Sequence, residues 1–301
     1  MSTKNTLGFF HPPSSDDPAW AGWSRVVDSI SEIALSVGWD VLQPNVLCIT
    51  RSVPDQFTVS YACDPQGAYG VVADQAHRGP FWQIDTTVTP WEREVSRARF
   101  IAGSMDGDAA NIFFHYWRDR FFGDAPNRTT KEGFVVIALQ GILSRKSAGQ
   151  FCSPLSVVEQ CLLHEPDRPL IVSLAAHEHY SDADLSRLAA LDERHARLTV
   201  RIGDRKELLR TCDYVVTQSG DVALDACFYQ KTPVLFAKVD AHHIALSAET
   251  NPAEAFRTAS YYSPEFACYA TWFLRDNAIN VQSEDTTRAI SHRLAALGWP
   301  V

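Results

Sequence analysis

The sequence predicts an α/β protein with two Rossmann-like domains, each built on a doubly wound parallel sheet. The chain of 301 residues is long enough for about two domains. Because 46% of its residues are hydrophobic and 21% are charged, each domain has enough apolar surface for a core. From residue 134 onwards, apolar runs of strand length alternate with helical patterns through short links, which is typical of right-handed βαβ crossovers.

In the N-terminal half, the pattern begins with a strand, a polar loop and a helix. Leu7 to Phe10 is a short apolar strand, and apolar residues then recur at helical spacing from Trp23 to Val37. Two strand-like pieces follow at 57–62 and 69–73, separated by proline and glycine. These elements predict the first α/β domain.

Two helices and a linker are predicted next. The segment Thr89-Pro90-Trp91-Glu92 has a capping hydroxyl, proline at the first helical position and a carboxylate three residues after the cap, so it predicts a helix reaching about Phe100. Another helix starts near Asp106 and ends at Gly123. The polar, turn-rich stretch 124–133 is interpreted as the linker between domains.

The second half shows five strands, each followed by a helical pattern or a short loop. The first of them, residues 134–139, is continuously apolar, as expected of a parallel strand buried on both faces. The others are predicted at 170–174, 198–202, 214–217 and 233–237.

These elements predict three parts of the chain. Residues 1–130 form an N-terminal α/β domain and residues 131–263 form a C-terminal Rossmann-like domain. Residues 264–301 are predicted to be a helical segment that packs across both, because the helix Thr286 to Leu297 has an apolar stripe and no strand after it.

Composition excludes several classes of protein. Seven cysteines without a C-x-x-C pair indicate neither a disulfide framework nor a zinc ribbon, and a net charge of −9 argues against nucleic acid as a partner. The longest apolar run has the length of one strand, so no transmembrane segment is predicted, and the N-terminus lacks a secretory pattern. We therefore expect a cytoplasmic protein that reaches the inner membrane only through partners; its oligomeric state is left open.

Candidate ligand-binding residues follow the predicted strands, because ligands of open α/β sheets bind beyond the carboxyl ends of the strands. Gln218-Ser219-Gly220 joins a strand to a helix N-terminus, which favours an anion such as a phosphate; the alternative is that Ser219 only caps the helix. Gln140 begins a long loop that carries Arg145, and this loop is either a binding loop or a solvated surface. Neither a dinucleotide fingerprint nor a Walker loop is present.

Two histidine-rich segments also follow strands. His177-Glu178-His179 and His242-His243 contain residue types that bind zinc, but in such loops they also serve as acid/base groups or phosphate donors. We interpret His177 and Glu178 as catalytic candidates and His243 as a ligand contact, and we predict no metal.

In the N-terminal half, Trp82, Asp85 and Trp91 lie close together in the sequence. Aromatic faces beside a carboxylate suit a sugar site, with Asp85 as the catalytic base for a hydroxyl. Two core tryptophans and a helix-leading aspartate would explain the pattern nearly as well. His11, in the polar loop after the first strand, joins Trp82 and Trp91 as a candidate for acceptor binding.

The segment from Phe134 to Ser247 resembles the C-terminal half of bacterial capsule-polysaccharide glycosyltransferases. The resemblance lies in the ordered strand ends, among them Leu139-Gln140, Cys212-Asp213-Tyr-Val-Val-Thr-Gln-Ser219 and Lys231-Thr-Pro-Val-Leu-Phe236 followed by Asp240-Ala-His-His243. These are two-domain GT-B proteins with an interdomain cleft, and some of them use CMP-activated sugars such as Kdo or sialic acid.

The resemblance implies a nucleotide-sugar donor, possible CMP activation and no further cofactor. Donor binding would fall to Gln140, Arg145, the turn Gln218-Ser219-Gly220 and His243, and the N-terminal domain would take the acceptor. The family commonly has His-Pro after the second strand, whereas this chain has Ala175-Ala176. Either His177 replaces the lost phosphate contact or donor chemistry is impaired.

The predicted function is metal-independent transfer of a sugar from a nucleotide sugar to a surface polysaccharide, or to a glycan or lipid-linked glycan precursor. The alternative is a catalytically impaired GT-B-like binding or scaffold protein in polysaccharide biosynthesis. The third candidate function is a nucleotide-sugar epimerase or hydrolase with the same fold.

Overall fold

The computed structural model describes residues 5–10, 19–42 and 56–301. The chain divides into two compact units, with Met1–Ala98 and Trp272–Val301 in unit 1 and Arg99–Thr271 in unit 2. Within the described residues, each unit has its own six-stranded sheet with helices between the strands. The predicted α/β class with two separate sheets is confirmed.

Twelve strands and ten α-helices are found in the described part of the chain. The strands are β1 (Thr6–Phe10), β2 (Asp40–Val41), β3 (Phe57–Tyr61), β4 (Tyr69–Gln75), β5 (Phe81–Asp85), β6 (Val135–Leu139), β7 (Leu170–Leu174), β8 (Leu198–Ile202), β9 (Tyr214–Thr217), β10 (Pro233–Leu235), β11 (Leu246–Ser247) and β12 (Ile279–Asn280). The helices are α1 (Trp20–Ser36), α2 (Glu94–Arg97), α3 (Gly107–Phe122), α4 (Pro154–His164), α5 (Asp182–Arg194), α6 (Arg205–Thr211), α7 (Gly220–Phe228), α8 (Pro252–Ala259), α9 (Phe266–Thr271) and α10 (Thr286–Ala296).

The sheet of unit 1 is mixed rather than wholly parallel. Its strand order is β12-β5-β4-β3-β1-β2, and β5 runs antiparallel to both of its neighbours. The link from β4 to β5 spans only residues 76–80, which is too short for a crossover, so the chain returns as a hairpin. As a consequence, β5 starts at the carboxyl edge of the parallel strands and runs back towards their amino edge.

The core of unit 1 joins residues from both ends of the chain. On α1, Trp23 and Ile30 are buried, and they share one apolar cluster with Trp82 of β5 and with Ile290 and Leu294 of α10. Helix α10 thus fills the place of a Rossmann helix although it comes last in the sequence.

The sheet of unit 2 is parallel at every pairing and has the order β11-β10-β9-β6-β7-β8. Counted from β6, this is the Rossmann order 3-2-1-4-5-6. Every residue of β6 is buried, which explains its unbroken apolar sequence. The strand order reverses between β6 and β9.

The boundaries of the units differ from the predicted ones at 130/131 and 263/264. Helix α3 belongs to unit 2 because the rings of Phe114 and Phe228 stack at 5.3 Å and Thr271 Oγ1 donates to Ala110 O at 3.2 Å. The expected linker is part of the same unit, since Gly133 N donates to Asp213 Oδ1 at 2.9 Å. The last segment is split, with α9 in unit 2 and α10 in unit 1.

The helix expected from Thr89 to Phe100 is broken into two short pieces. A 3-10 turn at Pro90–Glu92 is followed by α2, and Arg93 between them has extended backbone with φ −62° and ψ 155°. Buried Arg93 donates to Asp74 Oδ2 at 2.5 Å and to Gln83 Oε1 at 3.3 Å. This tertiary pairing overrides the local helical pattern.

We expect Leu294→Ala to lower the free energy of unfolding of unit 1 by about 2–5 kcal/mol, because a fully buried leucine leaves a cavity. Urea denaturation followed by tryptophan fluorescence measures this, since seven of the eight tryptophans lie in unit 1. His292→Ala, at an exposed position of the same helix, is the control. Equal stabilities of the two variants would contradict the assignment of α10 to this core.

Candidate functional site

The carboxyl edge of the unit 2 sheet brings two of the predicted segments side by side. Gln140 and Gly141 follow β6, and Gln218 and Ser219 follow β9, its hydrogen-bonded neighbour. Gly141 has a φ of +75°, which favours glycine and turns the chain sharply away from the sheet. The strand order reverses between β6 and β9, and open α/β sheets bind ligands at such reversals.

Glu178 is engaged within the protein. Its carboxylate accepts a hydrogen bond from the backbone N–H of Gly141, which fastens the loop after β7 to the end of β6. Next to it, the hydroxyl of Tyr180 accepts from Ala175 N at 2.9 Å, and burial raises the pKa of that phenol. These contacts give Glu178 a structural use at the start of the loop, and its catalytic role stays a prediction.

His177 lies in the turn that follows β7. The turn is closed by Glu178 N, which donates to Ala175 O at 3.3 Å, and both His177 and His179 are exposed. The neighbouring Ala176 offers only a methyl group. His177 and His179 are therefore the exposed polar side chains of this segment.

The long loop after β6 is held down by Gln218. Its amide nitrogen donates to Cys152 O at 2.8 Å and to Phe236 O at 3.4 Å. Phe151 N also donates to Phe236 O at 2.8 Å, which attaches the loop to the segment after β10. Gln218 therefore holds the loop in place by hydrogen bonding, whereas the side chain of Arg145 on the same loop is exposed.

Ser219 caps α7, which was the structural alternative for this residue. Its Oγ accepts from Val222 N at 3.5 Å, and the residue is 7% exposed. The first turn of α7 also faces a protein carboxylate, because a Cβ added to Gly220 would lie 2.9 Å from Asp240 Oδ1. The predicted phosphate position at Ser219-Gly220 thus has a resident anion beside it, which opposes a second negative charge.

His243 belongs to a cluster on the other side of Gly220. Its ring stacks on His242 with centroids 4.0 Å apart and lies 6.0 Å from the ring of Tyr269. Burial, and then the charge of Asp240, raise the pKa of Tyr269 well above its usual value. Sequence reasoning placed Asp240 among the residues after the fifth strand but assigned it no role, and it missed Tyr269.

Asp85 is a structural carboxylate rather than an available base. Its Oδ1 accepts from Thr86 N at 2.7 Å, its Oδ2 accepts from Glu94 N at 2.8 Å, and Arg293 Nη2 lies 3.5 Å from Oδ2. The residue is 5% exposed, at the end of β5 that runs away from the carboxyl edge. A cavity of about 210 Å³ beside it is lined also by Asp276. The predicted role as catalytic base is therefore not supported.

The acceptor-side aromatic residues have separate environments. Trp82 is 0% exposed and packs against Trp23 and Tyr61, with ring centroids 6.3 and 5.7 Å apart, so it offers no face to a sugar. Trp91 is half-buried in the 3-10 turn and is absent from the lining of the Asp85 cavity. His11 lies outside the described residues.

The described residues contain neither a candidate metal site nor a candidate membrane-spanning helix. In the part of the chain that the structure covers, no group of three or more histidine, cysteine, aspartate or glutamate residues could hold a metal ion. Within the same residues, no helix combines the length and apolarity needed to cross a membrane.

The sequence matches no protein-family model and no curated protein. Among solved structures, the chain is similar to KpsC beta Kdo 2,7 transferase of Thermosulfurimonas dismutans, with a TM-score of 0.50 and 8% identity over 96% of this chain and 100% of that chain. For KpsC beta Kdo 2,4 transferase of the same organism, the TM-score is 0.47 and the identity is 11%, over 88% of this chain and 89% of that chain. For UDP-GlcNAc 2-epimerase of Methanocaldococcus jannaschii, the TM-score is 0.38 and the identity is 10%, over 97% of this chain and 99% of that chain. At these identities the likeness concerns the fold, which is GT-B-like as predicted.

We expect Asp85→Asn to lower the free energy of unfolding of unit 1 by about 1–3 kcal/mol. The asparagine amide has one oxygen that accepts hydrogen bonds, whereas the carboxylate uses both of its oxygens, for Thr86 N and Glu94 N. Urea denaturation monitored by tryptophan fluorescence measures the loss. Asp28→Asn, an exposed aspartate of α1, serves as the matched control. If Asp85→Asn unfolds at the same urea concentration as wild type, the structural role of Asp85 is wrong.

Proposed function

We propose that the chain binds a nucleotide sugar at the carboxyl edge of the unit 2 sheet and transfers the sugar to a glycan or lipid-linked glycan. The observation that carries this proposal is the reversal of strand order between β6 and β9, with Gln140 and Ser219 on its two sides. Crevices at such reversals are where open α/β sheets bind nucleotides.

The proposed reaction is a substitution at the anomeric carbon of the donor. An acceptor hydroxyl forms the new C–O bond while the bond from that carbon to the phosphate oxygen breaks, and the phosphate keeps the electron pair. The acceptor proton passes to solvent. We assign His177 as the donor that stabilises the charge developing on the leaving phosphate, since it is exposed in the loop that follows the strand beside β6.

One further point supports a sugar-transfer reaction, and another restricts the kind of donor. The named activity of the KpsC protein with the TM-score of 0.50 is Kdo transfer, which is the reaction class that the sequence resemblance implies. The carboxylate of Asp240 lies beside Gly220 at the N-terminus of α7, and it repels negative charge there. This repulsion favours a donor with few phosphate charges. A CMP-activated sugar, which has a single phosphate, fits this electrostatic constraint better than a UDP- or GDP-activated one.

A panel of CMP, UDP, GDP and ADP at equal concentration tests the nucleotide site by thermal shift. A ligand that binds only the folded protein raises the Tm, and we expect CMP to raise it most. No shift with any of the four nucleotides would contradict the proposal. A larger shift with the diphosphates would contradict the electrostatic argument from Asp240.

We expect His177→Ala to lower kcat for sugar transfer about a hundred- to a thousandfold, because the leaving phosphate loses a preorganised donor. The thermal shift with nucleotide should change much less. His292→Ala, an exposed histidine of unit 1, is the control and should keep full activity. Unchanged kcat in His177→Ala would remove this residue from the mechanism.

The second candidate function is a binding or scaffold protein that keeps the fold without turnover. It is favoured by the engagement of Glu178 and Asp85 in internal hydrogen bonds and by Ala175-Ala176 at the end of β7. Nucleotide binding in the thermal-shift panel without release of nucleotide from CMP-, UDP- or GDP-sugars in the presence of glycan would identify this function.

A further inference from the structure

Unit 2 has a second polar cavity, which lies between α4 and α5. Its volume is about 400 Å³, and its floor includes the buried side chains of Leu155 and Leu191. Ser153 and Ser156 line it from the α4 side, and Arg187 and Arg194 line it from α5. We call this cavity the α4–α5 groove; Ser144, Glu159 and Ala190 complete its lining.

Two arginines and one glutamate, Glu159, give the lining of the groove a net positive charge. Both arginines are exposed, and among the described residues neither guanidinium has a carboxylate within 4.0 Å. Asp184 lies on the same helix, and its hydrogen bonds with the hydroxyls of Ser144 and Ser181, together with the charge of Arg187, lower its pKa.

The spacing of the arginines restricts the kind of anion that can contact both. They are seven residues apart on one helix, so their backbone positions are about 10 Å apart along the axis. The adjacent phosphates of a nucleoside diphosphate share a bridging oxygen and are much closer together. Carboxylates on different sugars of one glycan chain can span such a distance, and the serine hydroxyls of the groove can bond to sugar hydroxyls.

We infer that the α4–α5 groove binds a segment of an acidic glycan, with carboxylates of the glycan at Arg187 and Arg194. The inference rests on the proposed function, because the glycan would be the acceptor or the product of transfer. Its lining does not include Gln140, His177 or Ser219, the residues assigned to the nucleotide site. The repulsion between the protein's net negative charge and an acidic polymer makes such a local basic groove necessary for binding.

Calorimetric titration with a short oligogalacturonate, which has a carboxylate on each sugar, tests the groove. We expect wild type to bind it and Arg187→Ala/Arg194→Ala to bind about tenfold more weakly, since two exposed ion pairs are lost. Arg257→Ala/Arg288→Ala is the matched control, because it removes the same charge from exposed positions of α8 and α10. This control should bind as wild type does.

Ala190→Trp tests the groove without a change of charge. Ala190 is exposed and lines the same cavity, so an indole at this position should fill the groove and weaken oligogalacturonate binding. Equal affinity of wild type and either groove variant would overturn the assignment. So would binding of a neutral maltooligosaccharide as tight as that of oligogalacturonate.

Two more measurements separate the possible causes of failure. If inorganic polyphosphate binds more tightly than oligogalacturonate and depends on the same arginines, the ligand class is phosphate and the glycan assignment is wrong. A thermal shift with nucleotide, but no binding of oligogalacturonate by wild type, overturns the groove and leaves the nucleotide site standing. Oligogalacturonate binding that depends on the arginines, without any nucleotide shift, supports the groove and contradicts sugar transfer.

Discussion

The pairing of β6 with both β7 and β9 is the constraint on which the rest of unit 2 depends. A strand that is buried on both faces and paired on both edges has no freedom in register, and each residue of β6 is buried in this way. The chain builds outward from β6 in one direction and then in the other. This reversal of strand order is the position at which open α/β sheets bind ligands.

The two edges of the unit 2 sheet differ in how their polar groups are satisfied. At the amino edge, Tyr214 donates to Glu165 at 2.5 Å, and Arg168 pairs with Glu165 at 3.1 Å and with Asp213 at 2.9 Å. Burial and the neighbouring carboxylate hold the pKa of Tyr214 far above its usual value, so this network is closed and structural. At the carboxyl edge, by contrast, His177 and Arg145 remain exposed.

Two carboxylates that were catalytic candidates in the sequence, Asp85 and Glu178, hydrogen-bond to the backbone in the structure. Asp85 accepts from two backbone N–H groups, and Glu178 accepts from one at the start of a loop. A buried backbone donor without a partner is costly, and a nearby carboxylate is a strong acceptor for it. Acidic residues at strand ends therefore often have this structural use, which leaves histidine and arginine as the groups available to a ligand.

The sequence by itself determined the α/β class, five of the six strands of unit 2 and the edge at which candidate residues gather, because apolar runs and short links restrict parallel sheets to few arrangements. It could not determine the antiparallel direction of β5, the placement of α3 and α10, or the roles of Asp85, Trp82 and Asp240. These depend on contacts between distant residues, such as Arg293 with Ile84 O at 2.7 Å. Local patterns fix which segments are strands or helices, whereas only tertiary packing decides which hydrogen-bonding partner each polar side chain meets.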